Sequence, residues 1–326
     1  MKTVYALGRL FRSLLVLAVS MVVLSAAVFA VARSAPGDPL VSYYGERAEK
    51  LTAEERYQAE ERLGLHQSLP VQYVRWAENA LHGDWGISFK YKMPVTEVVA
   101  ARLGNTLLLG GLGFLLLTVL SAVVALVCAW QEGRFIDRLL CKAGTIVSCV
   151  PEFWLSLALI LLFSVTLGWL PASGAYSVYG GGVGDRLAHL VLPLTVVVLS
   201  HLWYFAYMLR SRLLQEMGED YALLAQVKGL RRWQVLVRHG LRNALPSYLS
   251  LLAVSLPHVL GGTYIVETVF SYPGLGTLAY ESARYQDYHL LMVVCLLSGF
   301  VVMAANMAAK ALSRRLDPRL RGEVAL

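Results

Sequence analysis

The residues whose placement singles them out for chemistry in this chain lie inside or beside long apolar stretches. Glu152 is the only charged residue between Ala143 and Leu167, and it directly follows Pro151. An ionisable group so placed marks a functional site by default, because leaving water is costly unless a cavity, a ligand or a bundle partner compensates. Pro151 frees a backbone carbonyl and can kink a helix toward such a cavity. Glu152 is therefore a candidate for contact with a crossing solute, with pairing to a neighbouring helix as the other reading. Glu267 closes another apolar stretch, where it either pairs with a basic group or is solvated at the interface. Interhelical hydrogen bonds account for His201, His258 and Asn306. No two of these histidines share a metal-ligand spacing such as i, i+4, so no metal site is expected.

Enzyme chemistry finds no support. There is no His-Glu-x-x-His, no Gly-x-Ser-x-Gly, and nothing marks a base for Ser173. The phosphate-cradling pattern Gly-x-x-x-x-Gly-Lys-Ser/Thr is also missing, so ATP is not bound in that way by this chain. Cys128, Cys141, Cys149 and Cys295 form no Cys-x-x-Cys pair and read as small apolar packers.

The elements that must hold these residues are membrane spans. The mean hydropathy is +0.55, and only 16% of residues are charged against about 25% in soluble domains. No Asp, Glu, Lys or Arg falls between Arg12 and Arg33, Arg102 and Glu132, Arg186 and Arg210, Arg242 and Glu267, or Asp287 and Lys310. Each gap accommodates the roughly 20 apolar residues of a spanning helix. A sixth stretch covers about 139–167. The fold expected is all-α, with six transmembrane helices. The first stretch exceeds the 7–15 apolar residues of a signal-peptide core, so it reads as a retained helix.

Lys and Arg cluster in the tail around Lys2, Arg9 and Arg12, the loop of Arg134, Arg138 and Lys142, the segment 210–246, and the tail from Lys310. The connections near Asp185 and Arg284 hold one basic residue each, Arg186 and Arg284. By the positive-inside bias both termini are cytoplasmic. That bias also accounts for the net charge of +7, so nucleic acid is not implied. The divisions expected are 1–33 as tail and first helix, 34–104 as an external segment, 105–312 as the core, and 313–326 as a tail. Within the external segment, Thr52 caps a helix over 51–65, and Pro70 to Leu81 forms a second, amphipathic one lying near the membrane surface.

The segment 210–246 is long for a bundle with short connections, and long polar loops are usually functional. Glu216 to Val227 favours helix, with Leu223, Leu224 and Val227 as an apolar stripe. Gly229 suits the end of that helix or a tight turn against a partner. Arg231 to Arg242 is expected to resume as a basic helix ending before Pro246. Such a segment serves either as a rigid contact for another protein or as a basic helix on anionic lipid.

Here the chain resembles a known family. Ala225-x-x-x-Gly229 followed by His239-x-Leu241-Arg-Asn-Ala-Leu is similar to the loop of permease subunits of ATP-binding-cassette importers, in the peptide and nickel branch. Leu223-Leu224-Ala225 stands where the wider family has Glu-Ala-Ala, and Gln226-Val227 departs from the branch habit. The resemblance extends through Pro36-Gly-Asp-Pro39, Arg62-Leu-Gly-Leu65, Pro70-Val-Gln-Tyr73, Gly83-Asp-Trp-Gly-Ile-Ser-Phe89, Pro151-x-Phe-Trp154, Trp169-Leu-Pro-Ala-Ser-Gly174, Pro273-Gly-Leu-Gly276 and Asp317-Pro-Arg-Leu-Arg321.

The resemblance implies the type I importer permease architecture in a bacterial inner membrane. It further implies a second homologous permease, two cytoplasmic ATPases using ATP and Mg, and an external solute-binding protein. Ala225, Lys228, Gly229 and Leu230, with Arg231 and Arg232 on the rim, would contact the ATPase. Glu152, Glu267, Gly274 and Gly276 are the path candidates, the two glycines lying in a connection at the external mouth. Peptides, nickel or metal chelates would be the cargo, and no cofactor would bind this chain itself. An ion-coupled carrier is the alternative, but it usually shows inverted repeats and a carboxylate relay, and neither is found here.

Overall fold

The protein is described by a computed structural model covering residues 2–34, 39–62, 66–178 and 180–316. The motif residues at 36–38, 63–65 and 317–321 lie outside these. Among the described residues every regular element is helical, apart from one isolated antiparallel bridge between Ile87 and Pro94. Among the described residues five helices are long and apolar enough to span: Phe11–Ser34, Val95–Trp130, Val183–Met217, Arg232–Val269 and Tyr288–Ala308.

The sixth span is not straight. Phe135–Ser148 and Glu152–Thr166 pass the test together but are bent by 102°. The cause is Pro151, which has no N–H to donate and drives Val150 before it out of helical geometry. Pro151 itself is extended (φ −60°, ψ 145°).

The chain divides into two compact units, Met1–Asn105 with Pro273–Met303, and Thr106–Tyr272 with Ala304–Leu326. The first holds α1 (Lys2–Ser34), α2 (Pro39–Tyr44), α3 (Ala53–Arg62) and α4 (Leu69–Leu81), together with the start of α5 (Val95–Trp130). Thr52 caps α3 as expected: Glu55 accepts its backbone N–H at 2.8 Å, and Thr52 Oγ1 accepts that of Glu55 at 3.3 Å. One face of α4 packs on α1, with Tyr73 hydrogen-bonded to Ser25 (2.8 Å) and its ring edge-on to Phe29 (5.5 Å). The same unit contains α12 (Leu275–Arg284) and most of α13 (Tyr288–Leu316).

Asp287 is the anchor of this unit. It is fully buried, and its carboxylate caps α13 through the Leu290 N–H at 3.3 Å. The same group accepts hydrogen bonds from the Ser88 hydroxyl and the Lys90 N–H, so it also holds the turn 86–94.

The second unit is built around α8 (Val183–Met217), whose most apolar window is 61% buried against 11% for α1. Against α8 pack α6 (Phe135–Ser148), α7 (Glu152–Leu159, continued by a π-helical turn over Ile160–Thr166) and α11 (Leu241–Val269). Pro246 does not end a helix: α11 runs through it and through Pro257, as spans often do where neighbouring groups satisfy the freed carbonyls. Gly144 lets α6 meet α8 closely. A Cβ there would lie 2.4 Å from the Trp203 ring and 2.8 Å from the Tyr207 hydroxyl.

Gly144→Val should therefore lower stability by about 1–3 kcal/mol through overpacking, read as a lower unfolding temperature in detergent. Asp287→Ala should leave three donors unmet and raise hydrogen exchange in residues 86–94 by about tenfold or more. Unchanged exchange there would rule out the anchoring role.

Candidate functional site

The basic segment is shorter and more structured than its sequence suggested. Arg210 and Arg212 belong to α8, which continues to Met217. Glu216 to Val227 is not one helix, because Gly218 closes α8 and Glu219 turns extended (φ −74°, ψ 151°). A separate short helix follows, α9 (Asp220–Val227). Arg231 to Arg242 is not a free basic helix either. After the turn of α10 (Arg232–Val235) and a π-helical turn over Leu236–Gly240, the chain runs directly into α11.

Three side chains root α9 on α8. Arg212 pairs with Glu216 Oε1 at 2.9 Å, and the Tyr221 hydroxyl donates to Glu216 Oε2 at 2.6 Å. Burial, and then the bond to Glu216, pushes the Tyr221 phenol up to about 12, so it remains a donor at any physiological pH. At its other end α9 closes in a glycine turn. The Gly229 N–H donates to Gln226 O (2.9 Å) and the Leu230 N–H to Ala225 O (3.1 Å). This double bond pattern requires a left-handed residue, and Gly229 has φ +92°.

The faces of α9 are distinct. Ala222 and Ala225 are buried, and Leu230 packs on the same core. Leu223, Leu224 and Val227 are exposed, the last at 84%. Lys228, Gly229 and Arg231 are exposed beside them, and the Arg231 N–H donates to Gln234 Oε1 at 2.9 Å. Of the six residues expected at a partner contact, Ala225 and Leu230 thus point inward and support the helix from behind. Arg232 also reaches inward, to the carbonyl of Ala129 (3.2 Å) and the carboxylate of Glu132. Beside it the rings of Trp130 and Trp233 pack 5.5 Å apart at 62°. Sequence reasoning missed this strut, since Glu132 and Arg232 lie a hundred residues apart with no periodic signal joining them.

The intramembrane candidates separate sharply. Glu267 is fully buried, and its Oε1 accepts the Thr106 hydroxyl at 2.6 Å. Interfacial solvation is therefore wrong for it, because the helix carries it inside the bundle. Glu152 opens α7 with Oε1 3.9 Å from His201 Nδ1, while its Oε2 is buried without a hydrogen-bond partner. His201 bonds its own helix rather than another, at Val197 O (3.1 Å), and its ring lies 5.5 Å from that of His258. Gly274 and Gly276 are buried at the start of α12, and Gly274 has ordinary extended geometry (φ −114°, ψ −170°).

Cys128, Asp137 and Cys141 present ligand atoms within 4.8 Å of one another. Asp137, however, is engaged by Arg210 at 2.9 and 2.7 Å and by the Gly133 N–H at 2.9 Å. A carboxylate already neutralised in this way serves structure.

Apolar helices long enough to span, with buried polar groups among them and the short helix α9 set between α8 and α11, describe a multi-pass membrane protein. The chain matches the description "Binding-protein-dependent transport system inner membrane component" over residues 117–322 and its N-terminal companion over residues 7–110. It belongs to that family, the permease subunits of ATP-binding-cassette importers, and is a transport component of the inner membrane.

Among its relatives, AppB, an oligopeptide transport system permease protein of Bacillus subtilis (strain 168), is 34% identical over 294 residues, covering 90% of this chain and 92% of that one. The probable peptide ABC transporter permease protein y4tP of Sinorhizobium fredii is 32% identical over 319 residues, covering 98% and 99%. In fold, the chain is similar to an inward-facing structure of the MetNI methionine ABC transporter. That match has a TM-score of 0.55 at 17% identity and covers 68% of this chain and 97% of that one. The architecture is that of type I importer permeases.

Because Arg232 and Glu132 are both nearly half exposed (44% and 45%), their pairing should contribute about 0.5–1 kcal/mol. Arg232→Ala and Glu132→Ala should each speed hydrogen exchange in residues 220–235, and the double variant should add little. Full additivity would show that the two side chains do not act as a pair.

Proposed function

We propose that this chain is one of two homologous permeases in an importer that moves di- and oligopeptides inward, driven by ATP hydrolysis in two separate cytoplasmic ATPases. An external binding protein delivers the solute, and both termini face the cytoplasm, as the distribution of Lys and Arg favours. The peptide assignment rests on what its relatives are named for. Nickel or metal chelates are the other cargo of this branch.

The observation that carries the reading is α9. It is rigid at both ends, braced on α8 by Arg212–Glu216–Tyr221, and presents Leu223, Leu224 and Val227 to solvent. Exposed apolar side chains on a short helix next to Lys228 and Arg231 suit burial in a protein partner. Closure of an ATPase pair would press on this helix, which passes the displacement to α8 and α11 on either side. Lacking a phosphate-cradling loop of the Gly-Lys-Ser/Thr kind, the chain draws its power stroke from another subunit.

Affinity purification of the tagged chain in mild detergent should recover a second permease and ATPase subunits, and vesicles should take up peptide only with ATP. Leu224→Glu should keep the second permease, lose most of the ATPase and reduce uptake at least tenfold, the effect of truncating a central contact. A chain that purifies alone, with uptake independent of ATP and driven by an ion gradient, would establish the carrier alternative.

A further inference from the structure

Where the chain bends between α6 and α7, three elements of the second unit bring together Glu152, His201 and His258. Glu152 is the first residue of α7. His201 is buried on α8 and His258 is exposed on α11, their rings edge to face at 73°. The Nδ1 of His201 lies 3.1 Å from the carbonyl of Val197, which can only accept. The Ser200 hydroxyl lies equally close to Nδ1 (3.1 Å), and either neutral tautomer leaves the ring one nitrogen lone pair. Glu152 Oε2 is a second acceptor, buried and unmet, and the imidazole faces add π density.

The cluster holds a carboxylate and two imidazoles but no fixed positive charge, and a carboxylate oxygen without a donor inside a spanning bundle gains from an arriving cation. A resident metal ion does not fit the geometry. The ligand atoms of these three residues do not converge within 4.8 Å, as those of Cys128, Asp137 and Cys141 do.

We propose that Glu152, beside His201 whose ring in turn contacts His258, is a transit site for a cationic nitrogen of the solute, an ammonium or guanidinium that donates N–H bonds to the carboxylate. The proposal rests on the peptide-import reading, since peptides carry such a group as the terminal ammonium or on a Lys or Arg side chain. The bend at Pro151 places the carboxylate at the start of a helix, where the two helices framing the coupling segment, α8 and α11, also meet it. Solute occupancy and helix movement would then act on the same three elements.

The test uses the complete importer, with its binding protein, in proteoliposomes containing ATP. Uptake of Ala-Ala-Ala, Ala-Lys-Ala and Ala-Glu-Ala is compared between Glu152→Gln and the unaltered chain, each peptide against itself, so that binding-protein preference cancels. Loss of one charge-assisted hydrogen bond should lower uptake at limiting peptide by about tenfold, while the Glu152→Asp variant keeps most of it. A fall with all three peptides identifies the terminal ammonium, and a fall with Ala-Lys-Ala alone identifies the side chain.

Equal uptake by Glu152→Gln and the unaltered chain would overturn the site. So would a Glu152→Gln complex that has lost the second permease or its ATP hydrolysis, because the carboxylate would then serve assembly. If the unaltered importer takes up none of the three peptides, the peptide reading falls and takes this site with it. If it imports them and Glu152→Gln does too, only the site falls.

Discussion

The constraint on which the rest depends is that hydrocarbon supplies no hydrogen bonds. Every polar group carried into a span must find its partner inside the protein. Several polar residues of the second unit can be read as answers to that demand. Asp137 meets Arg210 in a two-pronged pair and takes the Gly133 N–H as well. Ser121 and the Tyr248 hydroxyl bond each other at 2.6 Å. Thr106 meets Glu267. Helices that satisfy their own backbones do the remainder, and where Pro151 prevents this the chain bends rather than leave a distorted span.

The same constraint shapes the coupling segment. Outside the spans water is available, so α9 needs no internal polar partners along its length, and yet it has them at its root. Glu216 is buried at the end of α8 and is met from both sides, by Arg212 of its own helix and by Tyr221 of the next. A hinge free to swing would not have such a clamp. On the far side Arg232 grips the C-terminal carbonyl region of α5, where the helix dipole favours a cation. A displacement of α9 is thereby shared among α8, α11 and the end of α5. Several points of attachment of this kind suit the force-transmitting role proposed for the helix.

Much of this was legible in the sequence, and for local reasons. The charge-free stretches gave the spans, Thr52 with Glu55 gave a cap, and Gly229 gave the helix end, because each signal is contained within a few residues. Local signals misled where tertiary context outweighed them. Pro246 reads as a helix stop, but in a bundle its freed carbonyl is tolerated. Gly218 is unremarkable among good helix formers, yet the chain must turn there to lay α9 aside from α8. Arg232 looked like one more exposed basic residue, and only the fold shows that Glu132 and the end of α5 lie beside it. The inward side of Ala225 was likewise hidden, since alanine gives no hydropathic sense of direction.

The two intramembrane glutamates show most clearly what structure adds. By sequence Glu152 lay within an apolar stretch and Glu267 at the end of one, and both were candidates for the path. In the fold Glu267 has no exposed surface and accepts a hydrogen bond from the Thr106 hydroxyl at 2.6 Å. Glu152 retains some exposure (20% of its side chain) and one oxygen without a donor. An ionisable group so placed within a spanning bundle marks a functional site by default. The Thr106–Glu267 bond ties α5 to α11, while Glu152 has an oxygen free to meet the cationic nitrogen proposed above.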